Sequence, residues 1–485
     1  MNLSLLLEEA VKKFADRPVL ISDGQRVNYD QLNLRVNSIA HFLRQDGVGK
    51  GDKVALMLPN IPEFVYCYFA AIKLGAVAVH LNNTSTSHEL IYLLENSESK
   101  VLITSEVNRK KYEEIRPKIT SCKILVTVDS PDQNAPFKKA ISAEQFPAPD
   151  VLINPEDPAT IIYTSGLTGK PLGAVLTHRN LCSQSHLIQS YVKRTSVDVG
   201  LSLIPLFHSF GSTVNMINVI RTGCSVVMMD RFTMDSLLNA IQKEKITYIC
   251  AVPRLYLGMM FHENAAKYDV SSLEVCVTGG APMPAEFLPG FEKQFGAKIV
   301  EGYGLTEASP CCTFNMFDRP QKPGSIGMAI PGTKIKIVDE KGHEVPRGEI
   351  GELVVRGDNV MQGYYKDKAA TASVIKDGWL YTGDLGRMDE DDYIFITGLK
   401  KRMIITSGFN VYPKEVEDVL NLHPAVKSSR VIGKKDLMRG EMVKAEIVKN
   451  NDSLVDEKEI LKYCRAYLSP YKVPREVEFV ESIIS

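Results

Sequence analysis

Two short runs of β-branched and apolar residues, PATIIY (158–163) and GAVLTH (173–178), enclose a polar loop, TSGLTGKPL, and no other stretch constrains the fold as much. Runs of that length and composition read as strands, and HRNLCSQSHLIQSYV behind them reads as a helix. The loop is therefore held at both ends. Gly166 and Gly169 allow backbone N–H groups to approach an anion, Thr164, Ser165 and Thr168 offer hydroxyls, and Lys170 offers a positive charge. Together they form a phosphate cradle. The Walker pattern needs four residues between Gly and Gly-Lys, whereas here only Leu167 and Thr168 separate Gly166 from Gly169, which argues against a P-loop NTPase. Taken alone, the loop also reads as a polar surface turn.

A chain of 485 residues is too long for one core and suggests two to four units, at roughly 100–200 residues per domain. Hydrophobic content of 44%, charged content of 24% and a net charge of −1 carry no nucleic-acid footprint and no charge-driven membrane attraction. The nine cysteines are scattered, odd in number and without a CxxC pair, so buried reduced thiols are expected. MNLSLLLEEAVKKF reads as an amphipathic helix rather than a signal peptide. The most membrane-like run, residues 64–81, contains Lys73 and Gly75 and reads as a buried helix followed by a strand. A cytoplasmic protein without a transmembrane segment is expected, with peripheral membrane contact and oligomeric state left open.

Helix and strand patterns alternate to about residue 300, which predicts a layered α/β architecture. From about 320 to 396 short strands with frequent Gly, Pro and Asp predict a small β-rich unit. The basic turn in GLKKRMIITSGFN opens a second change of character, and residues 399–485 read as a compact α+β domain after a large domain spanning 1–398.

Four more polar islands stand in apolar surroundings: PLFHSFG (205–211), TGGAPMP (278–284), EGYGLTEASP (301–310) and YTGDLG (381–386). In this order and spacing they resemble the adenylate-forming (AMP-binding) superfamily, from about residue 10 to the end of the chain. EGYGLTEASP, KPGSIGMAIPG, NVMQGYYKD and SGFNVYPKEVEDVL look most like bacterial medium- or long-chain fatty acid–CoA ligases. The resemblance implies two half-reactions. A fatty acid carboxylate attacks the α-phosphate of Mg-ATP to give acyl-AMP and pyrophosphate, and the thiol of CoA then takes the acyl group.

The resemblance also implies roles. Glu307 would hold Mg²⁺, Thr306 would contact the α-phosphate, and His208 would close the acyl pocket near the carboxylate. Tyr303 would stack on adenine, with Gly280, Ala281, Glu301, Gly302 and Gly304 around the base, and Asp384 would take the ribose hydroxyls. Lys401 matches the hinge about which the small, mobile C-terminal domain rotates, and Ser407 and Gly408 would line the pantetheine tunnel. Without the resemblance, Tyr303 also reads as a structural tyrosine, Asp384 as a turn aspartate and the KKR cluster as solvated charge. The acyl pocket is expected near 208–216 and 228–232.

The chain departs from the family pattern at several places. Leu167 stands where Ser or Thr is usual, Leu172 where Lys is usual, Leu399 in place of a ribose-holding Arg, and Arg402 in place of an acid. The Pro-Lys segment and the Gly-Lys expected beyond VEFVESI do not precede Ser485. Slow adenylation is the expectation, since losing one preorganised donor costs about 3–4 kcal/mol. Three functions remain open: a fatty acid–CoA ligase with adenylation impaired, a degenerate homologue that binds acyl-adenylate or acyl-CoA without turnover, and an acyl-adenylating enzyme serving a separate carrier protein.

Overall fold

The computed structural model describes residues 1–142, 146–164, 170–399, 403–450 and 453–483. Among these, the first 330 residues, joined by the short strand Gly363–Tyr364, build two mainly parallel sheets. One orders its strands Gly363–Tyr364, Leu172–Thr177, Pro158–Thr164, Val77–His80, Lys53–Met57, Ser99–Thr104 and Ile124–Thr127. The other runs from Met328–Ala329 through Cys311–Phe314, Lys298–Gly304, Val275–Thr278, Tyr248–Ala251, Val199–Ser202, Ser225–Met228 and Pro18–Ser22 to Gln25–Asn28. The expected α/β architecture is what the chain adopts.

Helices join the two sheets. Tyr29–Gln45 starts on a capping box of Asn28 and Gln31 and buries Leu32, Val36, Ile39, Ala40 and Leu43 along one face. These side chains share one apolar cluster with Leu3 and Leu7 of helix Leu3–Phe14, Phe64 and Phe69 of helix Pro62–Lys73, Leu56 and Ala78 of one sheet, and Val226 and Val277 of the other. The outer faces carry separate clusters, with Val227 on one and Met57 on the other. Neighbouring residues Val226 and Val227 thus face opposite sides, as the two-residue period of a strand requires. The run 64–81 divides, as expected, into a buried helix and the buried strand Val77–His80. Among the described residues no helix is long and apolar enough to cross a membrane. All nine cysteines are unpaired; Cys311 is partly exposed and the others are buried.

The β-rich unit is a five-stranded sheet of Thr333–Val338, Gly351–Gly357, Trp379–Met388, Ile375–Lys376 and Ile394–Leu399. Two short strands within the expected stretch lie elsewhere: Met328–Ala329 ends the nine-stranded sheet, and Gly363–Tyr364 pairs antiparallel with Ala174 and Val175 at the edge of the seven-stranded sheet. Residues 403–483 form a further sheet of Phe409–Val411, Ile404–Thr406, Gly440–Lys449, Val426–Asp436 and Glu476–Phe479, covered by helices Pro413–Asn421 and Glu457–Tyr467 around their own core.

Two buried histidines make the fold sensitive to acid. Burial holds His80 down at about 3 and His178 at about 4, against an ordinary value near 6.5. Both are neutral in the folded protein at pH 5, while the unfolded chain binds protons there. Stability is therefore complete above the unfolded value and falls as pH drops from about 6.5 toward 4, by about 1.4 kcal/mol per pH unit for each group. Thermal melts at pH 7 and pH 5 are expected to show a lower Tm at pH 5, and His80→Asn is expected to flatten that slope.

Candidate functional site

The parallel strands of the larger sheet end where backbone and side chains open onto a cavity of about 730 Å³. Such carboxyl-end crevices are where open α/β sheets bind ligands. Thr278–Met283 follow the strand Val275–Thr278 into its wall, and Glu301–Glu307 come from the end of Lys298–Gly304. Gly304 is required there by space, because a Cβ would lie 1.8 Å from the carbonyl oxygen of Pro310.

Glu307 sits in the turn Thr306–Ala308, and its Oε1 accepts from Tyr364 Oη at 2.8 Å and from Thr164 Oγ1 at 3.2 Å. Thr164 is the last residue of Pro158–Thr164 and stands opposite Leu172, so the two ends of the cradle are clamped as an antiparallel pair. Residues 165–169, which include Ser165, Gly166, Thr168 and Gly169, lie outside the described residues, as do Lys401 and Arg402. Lys170 is exposed beside Pro171, which lines the cavity with Leu172. Thr306 Oγ1 and Ser209 Oγ are 3.1 Å apart.

Tyr303, Asp384, Glu301, Gly302 and Gly304 line the same cavity with Gly280 and Ala281. The Tyr303 hydroxyl donates to Asp384 Oδ2, which ties two islands about 80 residues apart into one surface. Glu301 accepts from the Met283 amide at 3.4 Å, and burial pushes its carboxyl up to about 7. Leu399 lies across from Asp384 in the sheet register. His208 lines the cavity beside Phe207 and Phe210; its Nδ1 accepts from the Phe210 amide at 3.2 Å, and burial lowers its pKa to about 4. The neutral ring thus carries its proton on Nε2.

The apolar part of the lining includes Ile188, Val192, Val214, Cys250, Val277 and Ile330. Val214 falls in the expected stretch 208–216, but none of residues 228–232 lines the cavity. Met228 is instead part of the core between the sheets. The C-terminal unit contributes Gly408, Phe409, Tyr412 and Tyr471 to the lining. Gly408 has φ +84, and a Cβ on it would meet Val252 Cγ1 at 2.5 Å; a Cβ on Gly280 would lie 3.8 Å from the Gly408 carbonyl oxygen. Ser407 Oγ accepts from Arg254 at 3.4 Å and stands outside the lining.

Three contributors escaped sequence reasoning: Tyr364, Ser209 and Tyr412. Tyr364 carried a signal, since it lies in NVMQGYYKD, but its partner Glu307 is 57 residues away and is reached only through the edge strand.

The sequence profile of the AMP-binding enzyme family matches residues 7–365, and that of the AMP-binding enzyme C-terminal domain matches residues 415–484. The chain belongs to the AMP-binding enzyme family. The long-chain-fatty-acid–CoA ligase of Bacillus subtilis (strain 168) is 34% identical, covering 99% of this chain and 91% of its own. The structure of a double mutant of o-succinylbenzoate CoA synthetase from Bacillus subtilis, bound with its product analogue OSB-NCoA, superposes with a TM-score of 0.89 at 28% identity over 99% of this chain and 95% of that one. ATP-bound MatB from Rhodopseudomonas palustris gives 0.76 at 31% identity over 100% and 96%. The chain is thus an adenylate-forming enzyme of the acid–CoA ligase type with fatty acid–CoA ligases among its relatives.

Proposed function

We propose that this enzyme activates a medium- or long-chain fatty acid with ATP and transfers it to CoA, and that residues 1–398 and 399–485 act as its adenylation and mobile domains. The observation that carries this reading is one cavity lined both by the polar groups of Glu307, Tyr303 and Asp384 and by the apolar side chains of Ile188, Val192, Val214 and Ile330. A nucleotide and an alkyl chain need those two chemistries side by side.

Glu307 suits a Mg²⁺ site. A hard cation that keeps water and phosphate oxygens needs one or two protein carboxylates, and Glu307 is a single carboxylate with hydroxyls around it. The metal would neutralise phosphate charge. The chain's own groups do the rest: Asp384 is paired with Tyr303 where a sugar and base would lie, and Thr306 faces the same space. Neutral His208 Nε2–H is a donor for a carboxylate or acyl oxygen. Phe207 and Phe210 beside it keep water out of that corner.

The position of Gly408 in the cavity lining supports the thioester-forming orientation. Impaired adenylation is a second reading, favoured by one observation: Leu172 puts an apolar side chain into the cavity wall opposite Thr164. Acid-dependent pyrophosphate release and acyl-CoA formation with Mg-ATP and acids from acetate to palmitate test both. Turnover peaking at medium or long acids upholds the ligase. Product from supplied acyl-AMP and CoA alone confines the defect to adenylation, and no binding of Mg-ATP by calorimetry sinks the proposal.

Tyr364→Phe removes one hydrogen bond to a carboxylate, worth about 1.5–3 kcal/mol. Pyrophosphate release is expected to fall about 10- to 100-fold, with a higher Mg²⁺ requirement. An unchanged Mg²⁺ dependence would show that Tyr364 does not orient Glu307.

A further inference from the structure

Lys472 is 5% exposed and sits between two carboxylates, 2.8 Å from Glu89 Oε1 and 2.7 Å from Glu415 Oε1. Glu415 belongs to the same small unit as Lys472, on helix Pro413–Asn421, but Glu89 belongs to the large one, on helix Ser87–Ser97. The contact is extended by Ser469, whose Oγ donates to Glu89 Oε2 at 2.7 Å and whose amide donates to Oε1 at 3.3 Å. Thr86 Oγ1 donates to the Tyr467 carbonyl at 3.1 Å. One helix N-terminus of the large unit thus receives three groups of the small one.

The cluster is a weak source of stability. It holds two carboxylates for one ammonium, and among the described residues Glu415 Oε2 is buried without a hydrogen-bond partner. Buried pairs of this kind roughly offset their own desolvation, so their value lies in selecting one arrangement. They are also built to separate. When the units part, Lys472 keeps Glu415, and Glu89 keeps its capping bond from the Thr86 amide at 2.9 Å. Glu89 gives up its ammonium partner in the movement and keeps that amide hydrogen bond at the helix N-terminus.

We infer that Lys472 and Glu89 form a latch between the two units that fixes the orientation in which Gly408 faces the cavity, which makes Lys472 a positioning residue for acyl transfer to the thiol and not for adenylation. The assignment to that step rests on the ligase reading; the latch itself does not.

Glu89→Gln is the discriminating variant, because Gln at this helix position preserves the capping box and removes only the charge. In hydrogen exchange of the full chain, segments 84–90 and 468–472 are expected to exchange about tenfold faster than in the wild type. Acyl transfer from supplied acyl-AMP to CoA is expected to fall about tenfold, while pyrophosphate release changes less than about twofold. Lys472→Met should show the same pattern. Wild-type exchange in both segments would overturn the latch, and an equal loss in both half-reactions would overturn the positioning role. A wild-type chain silent in both half-reactions would count against the ligase reading alone, since the exchange measurement still decides the latch.

Discussion

Glu307→Gln is expected to lower acid-dependent pyrophosphate release by about 10²- to 10³-fold, the cost of removing one preorganised group from a developing charge. The substitution is nearly isosteric, and a Gln side-chain carbonyl can still accept from Tyr364 Oη and Thr164 Oγ1, which now meet Glu307 Oε1 at 2.8 and 3.2 Å. The Tm should therefore stay close to that of the wild type. What is lost is the negative charge, and with it the affinity for a hard divalent cation. Calorimetric titration of Mg-ATP should weaken in parallel with the rate, giving a readout independent of turnover. Acyl transfer from supplied acyl-AMP, which needs no triphosphate, should suffer far less. Pyrophosphate release at the wild-type rate would remove Glu307 from the proposed site.

This experiment turns on a residue that stood out in the sequence, while its partners did not. EGYGLTEASP places an acid among glycines after an apolar run, and the structure puts that acid at the end of Lys298–Gly304, facing the cavity. The family resemblance singled the acid out, and its place beside the cavity was legible locally because strand, turn and acid are consecutive. The same holds for PATIIY and GAVLTH, whose β-branched runs became paired strands, and for Leu32 to Leu43, whose spacing became the buried face of one helix. Tyr364 could not be found in this way. Its role depends on a two-residue strand crossing to the edge of another sheet, and two residues carry no period. Lys472 and Glu89 are 383 positions apart, and nothing in YKVP or SHEL announces an ion pair between two separately folded units. The pocket wall expected at 228–232 failed for a related reason: Met228 is apolar in either setting, and only sheet order decides that it faces the helices between the sheets. Sequence reported the strands that carry a clear apolar or β-branched run, and it was silent on which edges meet.

Gly408→Ala tests that long-range part of the site. The residue has φ +84, a conformation that costs a non-glycine residue about 1–2 kcal/mol. Its added Cβ would also stand 2.5 Å from Val252 Cγ1, at the seam between the C-terminal unit and the loop after Tyr248–Ala251. Overpacking at a close seam costs about 1–3 kcal/mol, and the small unit can relieve it by tilting away from the cavity. Both terms fall on the orientation seen here, but only the first persists when the units separate. Acyl transfer from supplied acyl-AMP to CoA is therefore expected to drop by about 10²-fold, with pyrophosphate release reduced far less. The ratio of the two losses carries the meaning. A large ratio ties the approach of Gly408 to Val252 and Gly280 to thioester formation. An equal loss in both half-reactions would mean that the substitution damages the hairpin itself, and the proposed division of labour between the two orientations would fall.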